Sequence, residues 1–151
     1  LDYLDHPDWR FRLDSTDEIV ARRLVQAKPQ LEDLAADDPN DRVRAAAFDA
    51  LNSLGLGVER YILHEILLEA GDKDLRYRMV RVIEQAPVKE DKLALVEALR
   101  DPSSHVSRHA ARAMVRLGDR SLAPVLRGVA LETVDREVAE ELNHAASRLG
   151  G

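Results

Sequence analysis

Apolar residues fall at a helical spacing in the second half of the chain. Val106, Ala110, Ala113, Met114 and Leu117 occupy i, i+4, i+7, i+8 and i+11, one face of an α-helix. Asp101-Pro102 ahead of them reads as a helix start, with Asp as cap and Pro in the first turn. Gly118 follows as a left-handed stop. The pattern occurs three more times. Val43, Ala47, Ala50, Leu51 and Leu54 lead to Gly55; Leu75, Met79, Val82, Ile83 and Ala86 lead to Pro87; Val138, Leu142, Ala145, Ala146 and Leu149 lead to Gly150. The lead residues 43, 75, 106 and 138 step by 32, 31 and 32. A fixed period of this length built from helices predicts an all-α, right-handed α-α solenoid.

A second apolar stretch precedes each of these helices. Ile62, Leu63, Ile66, Leu67, Leu68 and Ala70 form one; Leu93, Leu95, Val96 and Leu99 another; Leu122, Val125, Leu126, Val129 and Leu131 a third. The chain therefore reads as helix pairs: 29–37 with 39–54, 58–70 with 73–86, 88–100 with 102–117, and 120–131 with 135–149. Pro29 and Pro124 fall in first turns, where proline is tolerated. The expected organisation is a single domain over 1–151, with repeats at 29–56, 57–87, 88–118 and 119–151 and an N-terminal cap over 1–28. Ser15-Thr16-Asp17-Glu18 matches a capping box and predicts a helix running from there to Ala27. The aromatic start around Tyr3, Trp9 and Phe11 is expected to cover the open end of the array, with a partner contact through Trp9 as the competing reading.

The phrases Asp38-Pro39-Asn40-Asp41-Arg42-Val43-Arg44-Ala45-Ala46-Ala47 and Asp101-Pro102 to Ala111 resemble the second helix of short HEAT repeats, of the kind found in phycobilisome lyases. The likeness covers roughly residues 29–151. The copy at Asp72-Lys73-Asp74 lacks the proline, and the one at Thr133-Val134-Asp135 lacks the Asp-Pro altogether. Val20 to Ala36 looks like a leucine-rich-repeat variant unit, with a step of 23 from Val20 to Val43. The HEAT resemblance implies that the second helix of each pair lines a concave groove. It also implies that Arg44 and Arg76 are structural, with Asp41 and Asp74 as possible partners.

Composition narrows the function. The chain has no Cys, which removes thiolate nucleophiles, disulfides and Cys-ligated metal or iron–sulfur sites. No run is apolar enough to span a membrane, so no membrane partner is expected and the location expected is cytoplasmic. The formal net charge is −6, against a general nucleic-acid binder, yet residues 72–120 hold 11 bases against 8 acids. Arg108, Arg112 and Arg116 lie at i, i+4, i+8 on one stripe, and Arg78 and Arg81 fall at comparable positions one repeat earlier. With His109 and His144 beside them, these residues form the candidate surface. Arg pairs carboxylates through a planar fork, so the surface suits an acidic segment of a partner protein. The competing account is a solvated face that pairs with Glu84, Asp49 or Glu140.

Other chemistry has little support. His105 and His109 at i, i+4 can present two imidazoles, but a third metal ligand is missing from the pattern, and no metal is expected. A HEAT-type di-iron hydroxylase uses several His-Glu pairs, and His64-Glu65 is the only one in this sequence. Phosphate loops and nucleophile elbows are absent. The sequence therefore predicts a non-catalytic binding module or scaffold with no cofactor. Its alternative is a nucleic-acid-binding HEAT protein that uses the central Arg patch.

Overall fold

The computed structural model describes residues 2–150, and every regular element among them is helical. The α-helices are α1 (Trp9–Ala21), α2 (Lys28–Asp37), α3 (Asp41–Ser53), α4 (Arg60–Glu69), α5 (Lys73–Gln85), α6 (Lys92–Ala98), α7 (Ser104–Leu117), α8 (Ala123–Glu132) and α9 (Arg136–Arg148). Short 3-10 turns lead into α2, α6 and α8. The helices form two compact units. One ends at Asp72 and contains α1–α4; the other begins at Lys73 and contains α5–α9.

In the first unit α3 packs against α1 and α2, and α2 against α4. In the second, α7 packs against α5, α6 and α9, and α8 against α9. The predicted helix pairs are present with their ends trimmed by a few residues. Most of the predicted apolar face is buried: Val43, Ala47, Leu51, Val106, Ala110, Met114, Val138, Leu142 and Ala146 are each under 4% exposed. The buried face is wider by one position on α3 and α7 and is shifted on α5. Phe48, Val80 and Ala111 are buried at i+5, whereas Val82 and Ala86 lie at the surface. In the preceding helices Leu68, Leu93 and Leu131 are exposed. Each pairs with crowded apolar neighbours in sequence, but a helix flank leaves room in the core for only one side.

The helix starts differ from the sequence reading. Asp38 and Asp101 do not cap the following helices, and Pro39 and Pro102 lie before them. Asn40 is the cap of α3, accepting from the amides of Arg42 and Val43, and α7 begins after Ser103. The two aspartates instead make a matching set of bonds. Asp38 Oδ1 accepts from the amide of Asn40 at 2.9 Å, and Asp101 Oδ1 from that of Ser103 at 2.8 Å. Each carboxylate also receives a two-pronged guanidinium. Arg12 reaches Asp38 at 2.8 and 3.0 Å, and Arg76 reaches Asp101 at 2.9 and 3.1 Å. All four side chains are at most 12% exposed. Arg76 thus pairs with the aspartate of the following copy. Arg44, 5% exposed, closes the end of α2 by donating to the carbonyls of Ala35 and Ala36 at 3.1 and 2.6 Å. Asp41 accepts from the amide of Asp72. Both arginines are built into the packing, as the resemblance implied.

The N-terminal helix begins earlier than the capping-box pattern predicts. Ser15 and Thr16 are buried inside α1 and bond back to the carbonyls of Phe11 and Leu13, so they open no helix. Asp8 is the cap, accepting from the amide of Arg10. Arg12 lies 32 residues before Arg44, one full period. The helix stops show the same register. Arg23 has φ 52°, and Gly55, Gly118 and Gly150 have φ of 69°, 74° and 83°. These four positions and Pro87 step by 32, 32, 31 and 32. α1 thus stands one 32-residue period before α3, in the place of a second-type helix, by the alignment of Arg12 with Arg44 and of Arg23 with Gly55. Beside it Tyr3, His6 and Phe11 cluster, with ring centroids 4.3–6.0 Å apart. The Arg42 guanidinium sits 5.6 Å from the Trp9 ring centroid.

Two outcomes follow for stability. A left-handed backbone costs an ordinary residue about 1–2 kcal/mol relative to glycine. Arg23→Gly is expected to raise the unfolding free energy by about 1 kcal/mol in urea denaturation, while Gly118→Ala lowers it by a similar amount. Removing one partner of a buried pair strands the other charge at a cost of about 3–5 kcal/mol. Arg76→Ala should therefore destabilise by about 3 kcal/mol and Arg76→Lys by less; equal, negligible effects would show that the pair contributes nothing.

Candidate functional site

The candidate residues sit on α5, α7 and α9, all within the second unit. The buried face of α7 includes Val106, Ala110, Ala113 and Met114, which turns Arg108, Arg112 and Arg116 to the flank facing α9. Small residues at the contact keep the two helices close. Ala111 and Ala145 are nearly fully buried and, with half-buried Val115, form the floor of a groove of about 400 Å³. Arg108, Arg112 and Arg116 form its α7 wall; Glu141, His144 and Arg148 form its α9 wall. Glu84 closes it from α5.

Four of the seven predicted residues, Arg108, Arg112, Arg116 and His144, therefore share one groove. Arg78, Arg81 and His109 do not line it. Arg78 is exposed on α5. Arg81 turns along its own helix: it donates to the Tyr77 hydroxyl at 2.9 Å and lies 3.7 Å from Glu84. The hydrogen bond to Tyr77 is the main reason its pKa is raised. His109 is half-buried, with Nδ1 on a Glu84 carboxylate oxygen and its ring 5.3 Å, edge to face, from that of Tyr77. Among the described residues no group of three or more His, Cys, Asp or Glu is placed to hold a metal ion.

Charge compensation divides the groove into two ends. Arg108 Nη2 lies 3.3 Å from Glu137, and its Nε lies 2.9 Å from Glu141 Oε2. The second contact is an ion pair without an aligned hydrogen bond, since neither atom has a hydrogen-bond partner. Arg112 reaches the other Glu141 oxygen at 3.4 Å. Glu140, the sequence-level candidate for that pairing, instead accepts from Arg136. The amino-terminal half of the α7–α9 face is thus neutralised by α9 itself. At the carboxyl-terminal end Arg116 and Arg148 have no carboxylate partner among the described residues, and both are exposed. Arg148 was not among the sequence candidates. It lies one 32-residue step from Arg116, and that alignment was the available signal. Glu137 and Glu141 were missed because one turn on a neighbouring helix is not visible from spacing along either helix.

Helix pairs repeating every 31–32 residues, with matched polar bonds at equivalent positions, define an α-solenoid protein. The chain belongs to the HEAT repeat family: a model of HEAT repeats matches residues 62–147, and one of a single HEAT repeat matches residues 28–58. No curated protein matches the chain at a significant level. HEAT repeats are commonly protein-interaction scaffolds and generally not catalytic. No helix among the described residues is long and apolar enough to cross a membrane.

The pairing around Glu141 has a measurable consequence. Glu141 holds two guanidinium groups at the partly exposed α7–α9 contact, where such pairs contribute about 0.5–1 kcal/mol. Glu141→Ala should lower the urea midpoint by that order, with the difference shrinking in high salt. A midpoint unchanged at low salt would show that the carboxylate does not stabilise the contact.

Proposed function

We propose that the chain is a non-catalytic protein-interaction module that takes an acidic segment of a partner protein on its α5–α7–α9 face. The proposed contact surface is Arg78, Arg81, Arg108, His109, Arg112, Arg116 and His144. The observation that carries the reading is the α7–α9 groove, where arginines rim an apolar floor of Ala111, Val115 and Ala145. Such a groove offers what a peptide needs: a place for an aliphatic side chain and cations for its carboxylates. The mixed charge of the face favours a peptide over a nucleic acid. Glu84, Glu137 and Glu141 interrupt the arginines, so the face lacks the continuous positive track that a phosphate backbone needs, whereas a peptide carboxylate needs only a local cation. A cytoplasmic location, and the nearness of these repeats to the phycobilisome-lyase type through the Asp38-Pro39 and Asp101-Pro102 phrases, belong to the same proposal.

Fluorescence anisotropy tests it with two labelled probes, a dodecapeptide of alternating Glu and Leu and a short single-stranded DNA. The peptide should bind, and Arg112→Glu/Arg116→Glu should weaken it by about tenfold, the effect of losing roughly 1.4 kcal/mol. Circular dichroism should show helicity unchanged. DNA binding with a steep salt dependence, in place of peptide binding, would replace this reading with the nucleic-acid one.

A further inference from the structure

We infer that the working element of this face is the carboxyl-terminal end of the α7–α9 groove, where Arg116, His144 and Arg148 grip an Asp or Glu of the partner that stands next to an aliphatic residue. This inference rests on the binding face proposed above and names its partner chemistry. The other cations of the face are already committed. Arg108 and Arg112 are paired with Glu137 and Glu141, Arg81 with Tyr77 and Glu84, and His109 with Glu84. A ligand carboxylate at those positions would have to displace an existing partner, and the exchange gains little. Arg116 and Arg148 require no such exchange. They stand on opposite walls of one groove, so a carboxylate entering between them meets guanidinium groups from both sides.

Two further features select the ligand. His144 stands one turn before Arg148 on the same wall and adds a ring nitrogen to the carboxylate's surroundings. Val115, Ala111 and Ala145 form an apolar floor beside the cations, with room for a Leu, Ile or Val side chain. Glu84 and Glu141 line the same groove and penalise a phosphate dianion more than a singly charged carboxylate. Arg116 and Arg148 each also lie in the last turn of their helix, where the dipole favours a cation. That role is purely structural, and it would appear in stability and not in peptide choice.

A random dodecapeptide library displayed on phage, selected in parallel on wild type, Arg116→Gln/Arg148→Gln and Arg108→Gln/Arg112→Gln, separates the possibilities. Wild type should enrich sequences with Asp or Glu next to Leu, Ile or Val. That consensus should vanish with Arg116→Gln/Arg148→Gln, and Arg108→Gln/Arg112→Gln, which also lie on the proposed surface, should weaken it less. The affinity of a synthetic wild-type-selected peptide should fall by about tenfold for the first variant, and by no more than about threefold for the second. The reverse ranking would overturn this inference and leave the peptide-binding module standing. Loss of stability without loss of the consensus in the first variant would reduce Arg116 and Arg148 to helix-end cations. Tighter binding when phosphoserine replaces the acid would overturn the carboxylate assignment. An acid-free consensus, or none, would overturn both this inference and the module it rests on.

Discussion

The polar bond on which the repeats depend is the closed set made by one aspartate before each of two second-type helices. Asp38 and Asp101 each bind the amide two residues on and a guanidinium from the preceding second-type helix. One carboxylate thereby shapes a loop and ties two copies together. Buried charges are tolerated only when paired and hydrogen-bonded, and both lone-pair edges are occupied here. In two copies that lack the full pair, the arginine position serves the backbone instead. Arg44 bonds the last carbonyls of α2, and Ser107, 3% exposed, bonds the Leu99 carbonyl beyond α6 at 2.8 Å. Helix ends leave carbonyls without intrahelical donors, and this position supplies the donor in each case.

Packing and surface charge are linked through small residues. Ala111 on α7 and Ala145 on α9 are buried and line the groove between the two helices. Close helices put long flanking side chains within reach of one another, and Arg108, Arg112, Glu137 and Glu141 pair across the contact. Pairing ends at the last turns, where α9 carries Arg148 in place of another acid. The groove is neutral over one half and positive over the other. A partner therefore meets charge at one end and apolar surface beside it.

Much of the fold was legible in the sequence. Period, helix pairing, glycine stops and most core positions follow from residue spacing, because a helix repeats every 3.6 residues whatever surrounds it. The first copy was harder to see. Arg23 stands where the other copies have Gly or Pro, and Ser15 occupies a buried position held elsewhere by Ala, Met or Leu. Its identity rests on Arg12 and on the positive φ of Arg23, and the second of these is a backbone property. Ser15-x-x-Glu18 looked like a helix start because a hydroxyl can bond a free amide or an i−4 carbonyl equally well. Only the position of the real cap, Asp8, decides between them.

The sequence by itself determined the class of protein, the repeat length and the helices that carry the arginines. Tertiary structure alone decided which arginines remain available. Charge along one helix is local information, but compensation depends on the residues a neighbouring helix places opposite. Coulomb attraction at 3–4 Å acts between α7 and α9 across about 29 residues of chain, so Arg108 and Arg112 look identical to Arg116 in sequence. Glu137 and Glu141 separate them only once the helices are packed.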